Sequence, residues 1–403
     1  MKSKKIALVA LSLVNLLAYS QENIIELPLT GQNGHGPFSL WYVATMSPIS
    51  ENNGEWQKIS KFPEGLTDIK YGYIETNDLQ DTINPSTTSV KNKIAFAYGK
   101  DSEGNIKVAV DTNNNNDLSD DNIFTPIDYS VNHPSEVEKL TNYAVNVSFE
   151  TFVHNKIVTV TVPLFVYYNS RNDNLLYHFW QHSTTQLKGQ HIAVSSGRFT
   201  NFTYKYLELT LLPNDLNAIK IVEEKDIYKK NEYIEIEDEI YKILGVNTNR
   251  NTLVLEKNDL PKTQLFSNQI GYKSHLFQGE DIASGTEISL ENYKGKYVLL
   301  DFWGEWCKPC IEELPNLKEL YSKTDRTKFE MIGIAAYSTY EGIKKLIDQH
   351  GIAWPQISSD AIVATYGINV FPTTILLDID GVVIAKNLGG NRLEEKILNL
   401  IKE

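Results

Sequence analysis

Asp301-Phe302-Trp303-Gly304-Glu305-Trp306-Cys307-Lys308-Pro309-Cys310 is the stretch that decides the fold. The run Tyr297–Trp303 leading into it is apolar apart from Asp301 and predicts a buried strand. Beyond it, Ile311, Leu314, Leu317 and Tyr321 recur at helical spacing and predict one apolar helix face. The cysteine pair therefore falls where a strand hands over to a helix. Cys307 is placed at the helix N-terminus, where free N–H groups and the helix dipole favour an anion. A free thiol has a pKa of about 8.5, and such a position can lower it to about 7 or below. Lys308 adds a nearby positive charge. Pro309 suits the first turn, because its missing N–H has no helical partner there.

The chain has only two cysteines, and they are these. As a structural staple the pair would close a very short loop and contribute little. As half of a zinc site it would need two further ligands. None of the eight histidines forms a matching pair nearby. His178 and His182 are four residues apart, but Leu175–Trp180 reads as a strand and there is no His-Glu-x-x-His motif, so they read as structural or surface histidines. A redox-active dithiol is the strongest of the three readings.

After Thr263 the pattern alternates between strands and helices. Phe329–Ala336 predicts a strand, and Ile343, Leu346 and Ile347 mark the helix after it. Thr373–Asp378 and Val382–Ala385 predict a hairpin across Asp380-Gly381, and Leu393, Ile397, Leu400 and Ile401 form the stripe of a closing helix. That order calls for an α/β domain over 263–403, a mixed sheet with helices on both faces.

The decapeptide resembles the active-site segment of thioredoxins. Tyr293-Lys294-Gly295-Lys296-Tyr297 and Cys310-Ile311-Glu312-Glu313-Leu314-Pro315 are closer to the exported TlpA/ResA-type branch. Pro315 matches the family's helix-kinking proline, Phe371-Pro372-Thr373-Thr374 its cis-proline loop, and Ser338–Tyr366 the branch's extra insertion. The resemblance covers about a third of the chain and implies a thioredoxin-like fold with thiol–disulfide oxidoreductase activity. It implies that Cys307 is the attacking nucleophile and Cys310 the resolving thiol. Asp301 is implied to be the buried acid beneath Cys310, Glu313 a carboxylate near the same sulfur, and Pro372 the cis-proline beside the cysteines. Trp303 and Trp306 read as wall and packing residues. No cofactor or metal is implied. The partners implied are protein thiols and an upstream thiol reductant.

The first residues have a different character. Lys2, Lys4 and Lys5 precede the apolar run Ile6–Ala18, and Ala18-Tyr19-Ser20 supplies small residues before Gln21. This is the pattern of a cleaved secretory signal over 1–20, without the cysteine that a lipoprotein anchor needs. Export to the periplasm or beyond is expected, with no membrane span after cleavage. The net charge of −13 argues against affinity for nucleic acid or anionic membranes.

Residues 21–262 read as a β-rich, sandwich- or barrel-like region, with a small β module at about 231–258 as a separate candidate. Phe38–Met46, Asn105–Asp111, Lys156–Tyr168 and Thr203–Leu212 have strand composition. Asp111–Asn122 spaces oxygen side chains like the first half of a calcium loop. It has Asn116 where glycine belongs and Asn122 where a bidentate glutamate belongs, and a polar turn explains the same letters.

The leading reading is a periplasmic disulfide reductase. Pro309 is shared with reducing thioredoxins, the motif lacks a histidine, and Glu305, Glu312 and Glu313 oppose a strongly stabilised thiolate. A peroxidase would need a Pro-x-x-x-Thr-x-x stretch before its cysteine, which is missing here. A third reading is an exported partner- or carbohydrate-binding protein with an auxiliary thioredoxin domain.

Overall fold

The computed structural model describes residues 23–40, 43–48, 59–76, 89–130, 142–213 and 221–402. The expected leader and its cleavage point lie outside them. The chain divides into two compact units between Asn258 and Asp259, slightly before the 262/263 boundary expected. Among the described residues no helix is long and apolar enough to cross a membrane.

The first unit is strand-rich, and its sheets are layered. A three-stranded sheet (Thr67–Glu75, Lys93–Lys100, Ile106–Val110) shares a core with a five-stranded sheet containing Lys156–Asn169 and Asn174–Phe179. Along Lys156–Asn169 the pleat sends Val162, Leu164 and Val166 into that core, and Phe165 and Tyr167 into another on the opposite face. A second five-stranded sheet, built around Gln190–Ser195, packs against a four-stranded one. In the latter, Tyr233–Ile236, Glu239–Asn247 and Thr252–Asn258 are joined by Ile24–Pro28, which pairs along Thr252–Asn258. The candidate module at 231–258 is thus one sheet with the start of the described chain. None of the four closes into a barrel among the described residues.

Two strands are shorter than composition suggested. Of Phe38–Met46 only Ala44–Met46 is strand, with Phe38 and Leu40 buried as core residues outside any ladder and 41–42 not described. Of Thr203–Leu212 only Glu208–Leu211 is strand. The Asn201 side chain accepts from Thr203 N and Oγ1, and Tyr204 adopts a positive φ of 55°, so a turn takes the place of the ladder.

The second unit opens with a hairpin, β1 (Gln278–Glu280) and β2 (Glu287–Ser289). Its main sheet comprises β3 (Tyr297–Trp303), β4 (Phe329–Ala335), β5 (Gln356–Ser358), β6 (Thr373–Leu377) and β7 (Val383–Lys386), in the order β5-β4-β3-β6-β7. The β3–β4 and β4–β5 pairs are parallel, the other two antiparallel. The helices are α1 (Lys308–Lys323), α2 (Tyr340–His350), α3 (Asp360–Thr365) and α4 (Gly390–Leu400).

Period-2 alternation along β3 separates two cores. Val298, Leu300 and Phe302 face α3 and the β1–β2 hairpin, while Leu299 and Trp303 face α1, α2 and α4. The mixed sheet is therefore covered on both sides, which is the thioredoxin-like arrangement. The α1 face differs a little from the periodic reading: Cys310, Leu314, Leu317 and Leu320 are buried, while Ile311 and Tyr321 are only partly so. Tyr321 stays at the rim because its hydroxyl donates to Glu330 and the Arg326 guanidinium lies 3.6 Å above its ring.

Candidate active site

Cys307 is the N-cap of α1, and its sulfur accepts the N–H of Cys310 at 3.3 Å. Pro309 occupies the first turn, where no helical partner is lost, and Pro315 lies inside the helix. The two sulfurs form a disulfide, with S–S 2.04 Å. Both cysteines are nearly enclosed, at 4% and 3% exposure, so burial does not tell attacker from resolver. The N-cap geometry does separate them: a thiolate at Cys307 would be stabilised by an N–H and the helix dipole. Lys308 is exposed and lies 3.7 Å from Glu312, so its charge is shared with that carboxylate.

Asp301 pairs with Gly333 on one side and Thr374 on the other. By the β3 alternation its side chain shares the sheet face that carries Leu299, Trp303 and the Cys310 cluster. Burial, and secondarily the Glu313 charge, push its carboxyl up to about 7. It can therefore hold or release a proton near neutrality. Gly333 is required beside it, because a Cβ there would lie 2.1 Å from the Gln356 side chain, which accepts the Trp303 indole N–H at 2.9 Å.

Glu313 is half-buried and engaged at both oxygens. It accepts Gly390 N–H, in the first turn of α4, at 2.8 Å and Asn316 Nδ2 at 2.9 Å. The Phe371–Pro372 bond is cis, the form that the resemblance implies. The Phe371 ring lies edge-on to Trp306, centroids 5.4 Å apart. Trp303 is the wall residue expected. Trp306 packs on one side only: it meets the Phe371 ring and donates its indole N–H to Ala336 O, while 53% of it stays exposed.

Glu305 has a job that the motif did not announce. Its carboxylate accepts Thr339 N and Oγ1, and its own N–H donates to Ser338 Oγ, so the cysteine loop is fastened to the start of α2. Gly342 permits this, since a Cβ there would collide with the carboxylate.

Elsewhere, Asp111 accepts Asn115 N and Asn116 N, and Asp121 Oδ1 accepts Thr112 N and Oγ1, whereas Asp121 Oδ2, Asn114 Oδ1 and Asn116 Oδ1 are buried in the same loop without a hydrogen-bond partner. Among the described residues no group of three or more His, Cys, Asp or Glu is arranged to hold a metal ion.

Residues 270–386 match the AhpC/TSA family. A thiol–disulfide oxidoreductase ResA of Bacillus thuringiensis (strain Al Hakam) is 37% identical over 129 residues, 32% of this chain and 74% of the relative. One from Halalkalibacterium halodurans is 32% identical over 136 residues, 33% of this chain and 77% of the relative. The crystal structure of the thioredoxin domain of a thiol–disulfide oxidoreductase from Bacteroides vulgatus is 31% identical. That alignment covers 33% of this chain and 97% of the other, at a TM-score of 0.31.

Proposed function

Through its C-terminal domain the chain belongs to the ResA-type thiol–disulfide oxidoreductases, and from that premise we propose that it reduces disulfides of partner proteins outside the cytoplasm. The observation that carries the proposal is Cys307 at the α1 N-cap, with the buried, easily protonated Asp301 on the sheet face of Cys310. In the reduced protein the Cys307 thiolate attacks one sulfur of the partner's disulfide. The partner's S–S bond breaks, one partner thiolate leaves and takes up a proton, and a mixed disulfide forms. Cys310 then loses its proton to Asp301 and attacks Cys307 Sγ. The second partner thiolate leaves, protonated in turn, and the Cys307–Cys310 disulfide closes. Two electrons have passed to the partner, and an upstream thiol reductant restores the dithiol. Pro372 borders the site where the partner sulfur approaches.

The charge around the motif supports the reducing direction. Glu312 is near Lys308 and offsets it, and no histidine lies between the cysteines to stabilise the thiolate. The peroxidase pattern is missing, with Leu300 where its proline belongs and Gly304 where its threonine belongs. The leader-like pattern read in residues 1–20 supports export. Equilibration against glutathione or dithiothreitol buffers tests the direction. The expected potential is closer to about −270 mV than to the −120 mV of strong oxidants. A value above about −160 mV on that scale would make the protein an oxidase or isomerase.

A further inference from the structure

Tyr337 lies within the loop between β4 and α2 in a conformation that bulky side chains rarely adopt, with φ at +49°. Its surroundings hold it there from both directions. Its N–H donates to Asp360 Oδ1, at the start of α3, at 2.7 Å. The next two residues are fastened to the cysteine loop, Ser338 by Glu305 N–H and Thr339 by the Glu305 carboxylate. The ring held in this way is 60% exposed, so the strain does not serve core packing. No hydrogen bond to its hydroxyl is formed among the described residues. The neighbouring exposed ring differs, since Tyr340 donates its hydroxyl to Ile282 O at 3.2 Å.

The Tyr337 ring meets the ring of Phe371, the residue before Pro372. It stands edge-on to Phe371, centroids 6.4 Å apart, and Phe371 stands edge-on to Trp306. Three loops thus contribute one ring each to a ledge beside Cys307 and Pro372. Val370, next to Phe371 in sequence, is a further exposed apolar side chain. Two carboxylates reach this loop and both are engaged by it: Asp360 accepts the Tyr337 N–H, and Glu305 is turned onto Thr339. Strain retained at an exposed residue beside reacting groups is a mark of function rather than of folding.

We propose that Tyr337 is a specificity-determining residue, which receives an aromatic or large apolar side chain next to the partner's reacting cysteine. The proposal rests on the reductase reading and adds to it the chemistry of the partner segment. A partner sulfur must come within bonding distance of Cys307, and the residue flanking it would then lie across the ledge. Apolar surface there excludes water on contact, and edge-to-face ring pairs add to the gain.

The test uses the full, reduced chain and three disulfides: oxidised glutathione, a peptide disulfide with Phe beside each cysteine, and the same peptide with Ser in place of Phe. Second-order rates are read for wild type, Tyr337→Gly and Tyr337→Phe. Tyr337→Gly relaxes the backbone and removes the ring, so it should fold at least as stably as wild type. It should lose about tenfold on the Phe peptide, the size of one good aromatic contact. Tyr337→Phe should keep the wild-type rate, and glutathione and the Ser peptide should change less than about twofold by the same reckoning. An equal loss on all three disulfides, or no loss on the Phe peptide, would overturn the assignment. A wild type inert towards all three would overturn the reductase reading and this proposal together.

Discussion

Gly390 N–H donates to Glu313 Oε1 at 2.8 Å, so the carboxylate whose charge helps raise Asp301 is held by the first turn of α4. One acid thereby connects the last helix with the protonation of Asp301.

Glu313→Gln should separate those two roles. An amide oxygen can still accept from Gly390, whereas the charge that opposes ionisation of Asp301 is gone. The Asp301 carboxyl should fall below its value of about 7 but stay above that of a free carboxyl, because burial is the larger cause. The pH profile for closure of the Cys307–Cys310 disulfide should move to lower pH. Glu313→Ala should show the same move and also lose about 1 kcal/mol, the worth of a helix-terminal acceptor. An unchanged profile in both variants would mean that the two carboxyls are uncoupled.

The active-site segment was legible because its physical demands are local. An apolar run, a proline suited to a first helical turn and a following helical stripe place Cys307 at a helix N-terminus without any tertiary information. Asp301 was singled out through the resemblance to thioredoxins, and it is the one charged residue in the buried strand β3. Glu305 and Tyr337 were not legible. Their roles depend on the β3–α1 and β4–α2 loops meeting, and no pattern in either segment encodes that contact or the positive φ at Tyr337. Phe38–Met46 was overread for a related reason: Phe38 and Leu40 are apolar because they fill a core, not because they pair in a ladder.

Asp301→Asn should change stability in a pH-dependent way. The folded carboxyl titrates at about 7 and the unfolded one near its ordinary 3.8, so the folded protein binds the extra proton between these values. Wild-type stability from this group is full below about pH 4 and is lost as pH rises through about 7. The buried amide does not titrate. The stability of Asp301→Asn relative to wild type should therefore increase by a few kcal/mol between pH 5 and pH 8, at about 1.4 kcal/mol per pH unit of displacement. Thermal melts of both oxidised proteins across that range would show it, and a constant difference would contradict the raised pKa.

The same substitution should slow resolution of the mixed disulfide while leaving the initial attack by Cys307 largely intact. Stopped-flow kinetics on a model disulfide separates the two steps. If attack and resolution slow equally, Asp301 acts on the fold of the site rather than on the Cys310 proton.

Alkylation of the reduced protein at neutral pH should modify Cys307 before Cys310. The two are almost equally enclosed in the disulfide form, so the order depends on the Cys310 N–H and the helix dipole at the Cys307 sulfur. Cys310→Ser should accumulate mixed disulfides with partner proteins, whereas Cys307→Ser should accumulate none. Mass spectrometry of peptides after brief iodoacetamide treatment reads the order, and Cys310 reacting first would reverse the roles assigned here.

The β-rich unit carries a separate acid-sensitive element. His178 is fully buried with neither imidazole nitrogen bonded, and it is in ring contact with Phe165, Tyr167 and His35. Burial holds His178 well below its ordinary pKa and holds His35 at about 4, with His182 also lowered. These histidines are neutral in the folded unit and take up protons readily once it unfolds. Stability should therefore fall as pH drops below about 6.5 and keep falling towards pH 4, by roughly 3 kcal/mol if His35 alone is counted. Nearby Tyr167 Oη and Trp180 Nε1 are likewise buried without a partner. His178→Phe replaces an unbonded polar ring by an apolar one of similar size. It should be neutral or stabilising by about 1–2 kcal/mol at pH 7, since no hydrogen bond is lost and a desolvated polar group is removed. It should also flatten the loss of stability on acidification. Urea titrations of wild type and His178→Phe at pH 7 and pH 5 give both quantities. A destabilisation above 2 kcal/mol at pH 7 would show instead that the His178 imidazole makes an essential bond, and would sink this account of the cluster.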